Sequence, residues 1–125
     1  MTFLSIEQLS EFQKDVKKLR KRFRTLDEDI DNFIKFALVP FHKEDIDYGG
    51  IVVVSDLGIE EPKIYKVRKF ACRALKGKGN QTGIRIIYAY FKDEDRIEFV
   101  EIYFKGDKET EDRRRIKNKY LKESK

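Results

Sequence analysis

The chain has 125 residues, of which 40% are apolar and 41% charged, so it suits one domain over residues 1–125 whose core needs no disulfide staple and whose surface is mostly charged. One cysteine, Cys72, excludes an internal disulfide and points to a reducing compartment. No apolar run is long enough to span a bilayer, and MTFLSIEQLSEF puts Glu7 and Glu11 where a secretion signal needs cations and then apolar residues; a cytoplasmic protein without a membrane partner is expected.

In chain order, Thr2 to Ile6 reads as a short edge strand. Ser10 with Gln13 forms a capping box, and Phe12, Val16, Leu19 and Phe23 then recur at helical spacing. A second box, Thr25 with Glu28, opens a helix whose stripe of Ile30, Phe33, Ile34, Ala37 and Leu38 is expected to stop at Pro40. The short connection predicts that the two helices pair as an antiparallel hairpin. Ile51 to Val54 reads as a short edge strand within a loop. Three strands follow, roughly Lys63 to Phe70, Thr82 to Phe91 and Arg96 to Lys105, joined by the turn-rich segments KGKGNQ and KDED. Asp107 is expected to cap a last helix with acids in its first turn and cations later, the order its dipole favours; its apolar face of Ile116, Tyr120 and Leu121 is thin. The sum is an α+β fold: an N-terminal helical hairpin on one face of a small twisted antiparallel sheet, a C-terminal helix, and the other face of the sheet open.

Charge is sorted along the chain. Between Asp27 and Glu61 ten acids face only Lys35 and Lys43, whereas Lys63 to Phe91 holds eight lysines and arginines and no acid. Because strand side chains alternate, Lys66 and Arg68 share one side, Arg85 opposes Ile84, Ile86 and Tyr88, and Tyr103 with Lys105 opposes Val100, Ile102 and Phe104. Lys66, Arg68, Arg85, Tyr103 and Lys105 therefore gather on the open face, with Arg73 at its border and Lys76 and Lys78 in the adjacent loop. Cations for phosphate beside an aromatic for a base suit RNA. A half-exposed sheet of any soluble protein also alternates charged with apolar residues, but it usually mixes signs. The run KDVKKLRKRFR is read as the solvated face of a helix, His42 as a surface-loop residue, and Cys72 as a buried structural thiol. No phosphate-binding loop or metal set is present in the sequence.

The segments KIYKVRKFACRALKGKGNQTGIRIIYAYF and RIEFVEIYFKGDKETEDRRRI resemble the RelE/ParE superfamily of type II toxin–antitoxin toxins, above all its RelE-like branch. FQKDVKKLRKRF with the following helix looks like the family's N-terminal hairpin, so the resemblance covers most of the chain. It implies a RelE-like fold, a metal-independent and cofactor-free endoribonuclease that cuts messenger RNA on the ribosome, and an antitoxin partner that wraps the toxin. By the same resemblance Lys66 and Arg68 match the basic pair on a core strand, Arg85 the arginine that stabilises phosphate, and Tyr103 and Lys105 the end of the last strand. GDKETEDRRRI lacks the arginine and tyrosine that RelE-type enzymes place after that strand.

RNA supplies its own nucleophile, the 2′-hydroxyl. The protein must then orient it, take a proton and stabilise charge at phosphorus, with roughly 3 kcal/mol expected from each well-placed donor. Arg85 is the first choice for charge stabilisation, with Arg68 or Arg73 assisting. Lys66, crowded by Arg68 and Arg85, is the expected base, and Tyr103 is either a base or a stacking platform. Two other functions share the scaffold: a ParE-like inhibitor of DNA gyrase, and a noncatalytic module that binds RNA or an acidic protein.

Overall fold

The computed structural model describes residues 2–121. Its elements run β1 (Ser5–Gln8), α1 (Ser10–Arg20), α2 (Leu26–Phe33), a π-helical turn (Ile34–Leu38), α3 (Val39–Lys43), β2 (Ile51–Val53), β3 (Lys63–Val67), β4 (Ile84–Phe91), β5 (Arg96–Phe104) and α4 (Arg113–Tyr120). The strands form one sheet in the order β1-β5-β4-β3-β2. All neighbours are antiparallel except β1, which runs parallel to β5, so the sheet is mixed rather than wholly antiparallel.

Alternation along β3 to β5 divides the apolar residues between two faces. Tyr65, Val67, Ile84, Ile86, Tyr88, Phe99 and Ile102 face α1 and α2, whose Phe12, Val16, Leu19, Leu26, Ile30 and Phe33 complete the larger core. Fully burying a side chain of this size contributes roughly 1.5–3 kcal/mol. Phe12 stacks on Phe99 with ring centroids 5.2 Å apart, fixing α1 over β5. Arg20 joins α1 to α2 through Asp27, with hydrogen bonds of 2.6 and 3.0 Å.

The second face is not open. Ile64, Ile87, Ala89 and Val100 meet Leu57, Ile116 and Tyr120, so α4 and the loop before β3 cover part of it. Val100 lies here, not beside Ile102 as strict alternation required, because a bulge at Ile87/Tyr88 lets β5 gain a residue on β4. The Arg115 guanidinium fastens α4 across the sheet edge by donating to Asp15 at 2.8 Å and to the Val100 carbonyl at 2.9 Å.

Several local expectations change for identifiable reasons. The first helix starts at Ser10 itself, behind Leu9, with no side-chain cap. Pro40 does not end the second helical segment. The Val39 N–H bonds to Ile34, five residues back, and this wide turn takes up the step at which a proline ring would strike the preceding turn. Thr25 does not cap α2 with its side chain: its hydroxyl donates to the Asp29 carboxylate at 2.7 Å and accepts the Ala74 N–H at 3.0 Å. Asp29, 3% exposed, also accepts the Arg73 N–H, so the start of α2 anchors the loop after β3. Asp112 rather than Asp107 caps the last helix, accepting the Arg115 N–H at 3.0 Å. Asp107 instead pairs with Arg22 at 2.6 Å.

Candidate anion-binding site

Two cross-sheet rows define the polar end of the second face. Lys66 on β3 lies opposite Ile87 on β4, which lies opposite Glu101 on β5. One step further, Arg85 lies opposite Tyr103, and Arg68 follows Val67 in the phase that brings it to the same side. The Arg85 guanidinium reaches over the end of β3 and donates to the Arg68 carbonyl at 2.6 Å, which directs it toward β2.

Between them lies an open hollow of about 510 Å³ lined by Arg68, Lys69, Arg85, Gln81, Val52 and two glycines. It contains three cations and no carboxylate, and none of the three is in an ion pair among the described residues. The glycines are required by the backbone: Gly50 has φ +91° and Gly83 φ +86°, and a Cβ on Gly50 would fall 2.7 Å from the Lys69 side chain. Lys105 stands beside Gly83, bonding its carbonyl through the backbone at 2.7 Å. Lys76 and Lys78 are exposed on the loop that precedes Gln81.

The other expected members do not share this hollow. Lys66 is not crowded by Arg68 and Arg85; its ammonium donates to Glu111 at 2.8 Å, with the lysine side chain 16% and the carboxylate 8% exposed. Burial alone would raise the Glu111 carboxyl, but the bond from Lys66, the local backbone and the Thr110 hydroxyl outweigh it and hold it down at about 2. Tyr103 lies beneath Lys108, whose ammonium sits 5.2 Å from the ring centroid, and its hydroxyl is buried without a hydrogen-bond partner. Burial pushes this phenol up, partly opposed by the Lys66 ammonium. Lys108 itself pairs with buried Glu101. The segment after β5 therefore folds back over Lys66 and Tyr103, and its Glu111 and Lys108 pair with the strand charges at that end of the face.

Arg73 is on the far side, paired with Glu28 of α2. Tyr120 does not replace the tyrosine missing after β5: it donates to Glu98 at 2.6 Å, opposite Ala89, four residues along β4 from Arg85 and so about 14 Å away. His42 is no loop residue but part of α3, half-buried with Nε2 2.8 Å from the Tyr88 hydroxyl. Cys72 is buried, and desolvation raises its thiol. Lys69 and Gln81 line the hollow although the sequence pattern does not mark them. In strict alternation Lys69 falls out of phase with Lys66 and Arg68, but β3 ends at Val67 and frees it to turn; its place in the acid-free interval is the available signal.

The hollow can take an anion with bidentate hydrogen bonds from planar guanidinium groups, which suits a phosphodiester. No helix among the described residues is long and apolar enough to cross a membrane, and no cluster of His, Cys, Asp or Glu there has the arrangement of a metal site. Neither a protein-family model nor a curated protein matches the chain. Among solved structures, the chain is similar to an archaeal RelE–RelB complex from Pyrococcus horikoshii OT3, with 15% identity over 85% of this chain and 98% of that one, at a TM-score of 0.49. It is also similar to a mutant of the E. coli toxin RelE in the free state, with 14% identity over 87% of this chain and 90% of that one, at a TM-score of 0.44.

Proposed function

We propose that the chain is the toxin of a toxin–antitoxin pair, a RelE-like endoribonuclease that cuts messenger RNA on the ribosome. The hollow of Arg68, Lys69 and Arg85, cationic and free of carboxylates, is the observation that carries this reading. It extends the resemblance of the K-x-R and G-I-R-I-I-Y segments to the RelE-like branch. In the proposed reaction the RNA 2′-hydroxyl attacks the adjacent phosphorus and displaces the 5′-oxygen. Arg85 and Arg68 neutralise the charge that develops on the phosphoryl oxygens, while Lys69 and Lys105 hold the neighbouring backbone. Lys66 already carries a proton into its bond with Glu111, which suits donation to the leaving 5′-oxygen better than abstraction from the 2′-hydroxyl. The 2′-hydroxyl proton passes to solvent water, because burial raises the Tyr103 phenol, which leaves it protonated and its oxygen covered.

The test is cleavage of a message by the purified chain with ribosomes, read by primer extension, with Arg85→Ala alongside. Cuts at codons that disappear in the variant are expected; a folded wild-type chain that binds ribosomes but leaves the message whole overturns the nuclease reading. The burial of Tyr103 and the Lys66–Glu111 pair favour a second reading, an RNA-binding module without catalysis. Retained RNA affinity without cuts would identify it, and DNA damage without cuts would identify a gyrase inhibitor. The proposed protein partner is an antitoxin whose acids enter the hollow and whose apolar helical stripe covers the 107–121 segment. Expression of the chain alone should arrest growth, and coexpression of the antitoxin should restore it.

A further inference from the structure

On the helix side of the sheet, at the end remote from the cationic hollow, a second hollow of about 420 Å³ opens between α3, the loop after it, the start of β3 and the end of β4. Its wall is aromatic. His42 stands edge-on to Phe41 and to Tyr65, with centroids 4.8 and 5.0 Å away, and lies 4.1 Å from Tyr90. The bond from His42 to the Tyr88 hydroxyl and the stacking of Tyr65 on Tyr88 at 5.2 Å hold these rings in place.

The wall is neutral near pH 7. Burial, with help from Lys43, lowers His42 to about 4, while burial, Tyr90 and Glu61 raise the Tyr65 phenol. Asp45, Asp47 and Glu61 form the rim, and none is in an ion pair among the described residues. One Asp47 oxygen accepts the Gly49 N–H at 2.8 Å, whereas no hydrogen bond among the described residues engages the Asp45 or Glu61 carboxylate. Lys63 and Lys92 also line the hollow, but both are exposed.

These features select among ligands. A phosphate would meet three carboxylates. A bare metal ion needs acids that converge, and no such group exists among the described residues. A flat organic cation satisfies both parts of the site, since its face lies against the aromatic wall and its N–H groups reach separated carboxylates. We infer that the hollow between α3 and the β3–β4 edge binds a guanidinium group, with Tyr90 and Phe41 against its face and Glu61 and Asp45 accepting its hydrogen bonds. The guanidinium belongs to a small molecule or to an arginine side chain of a polypeptide, and the exposed lysines are placed to take a carboxylate of either.

The experiment is a titration of the full chain with methylguanidinium, with a capped Ala-Arg-Ala peptide and with a capped Ala-Lys-Ala peptide, followed by NMR of the His42 and Tyr90 rings at pH 7. Saturable shifts at both rings with the two guanidinium probes, at least tenfold weaker with the lysine peptide, are expected. Equal affinity for the two guanidinium probes supports a small-molecule source, and a tenfold advantage for the arginine peptide supports a polypeptide. Glu61→Gln should weaken binding at least tenfold, whereas Glu28→Gln, which removes the same charge from α2 outside the hollow, should not. Absence of saturable shifts, equal binding of the lysine peptide, or equal losses in the two variants overturns the inference.

Discussion

The two ends of the sheet face beneath α4 are built from the same alternating strands yet end in opposite electrostatic states. Toward Gly83, Arg68, Lys69 and Arg85 surround a hollow that no acid enters. One row away, Lys66 meets Glu111 and Lys108 meets Glu101. The β-strands supply Arg85 to one end and Lys66 with Glu101 to the other, and the segment between β5 and α4 returns Glu111 and Lys108 to pair with the latter two. A charged row on a sheet is therefore a binding surface only where the chain that follows does not return with the opposite sign.

The largest expected effect tests the free end. Arg85→Ala should lower ribosome-dependent cleavage by about 100- to 1000-fold, the loss found when one preorganised donor is removed, with little change in unfolding free energy. Equal cleavage by the variant would move the phosphate elsewhere. The next tests what holds the covered end in place. Ile116, fully buried against Ile87 and Val100, should cost about 3 kcal/mol when truncated to alanine, measured by urea denaturation. Third, Lys66→Met should cost on the order of 2 kcal/mol because it leaves buried Glu111 with only the longer Arg113 contact at 3.3 Å, whereas the Lys66→Met/Glu111→Gln pair should recover most of that loss. Additive losses in this double-mutant cycle would mean that the ion pair does not set the state of this end.

Much of the fold was legible because its signals are local. The helical stripe from Phe12 to Phe23 and the alternating residues of Ile84–Phe91 gave α1 and β4 nearly whole. What escaped depended on contacts distant in sequence. The bulge that moved Val100 to the α4 side is a property of the pairing of β4 with β5, not of either strand alone. The same holds at the site. Arg85 could be assigned to its face from its phase in GIRIIY, but Lys66 lost its expected neighbours to Glu111, 45 residues later, and nothing in K-x-R anticipates that return. His42 was misread for the same reason: its acidic neighbours in sequence suggested solvent, while its neighbours in space are five aromatic rings.

The smallest expected effect separates these regions by pH. His42 is held neutral in the folded chain and titrates at about 4, below its ordinary value of 6.5. Between those values the unfolded chain binds more protons, so acidification from 6.5 to 4 should remove stability on the order of 1–2 kcal/mol once partial solvent exposure of the ring is allowed for. Glu111 acts in a lower window: its folded value of about 2 lies below 4.5, so its contribution is complete above 4.5 and lost as the pH falls through 2. Urea midpoints measured from pH 7 to pH 2 should therefore fall in two stages. His42→Gln should flatten the upper stage only and Glu111→Gln the lower one only, because the two groups lie on opposite faces of the sheet and share no partner. If either substitution flattened both stages, the aromatic wall and the covered end of the α4 face would be one coupled unit rather than two independent ones.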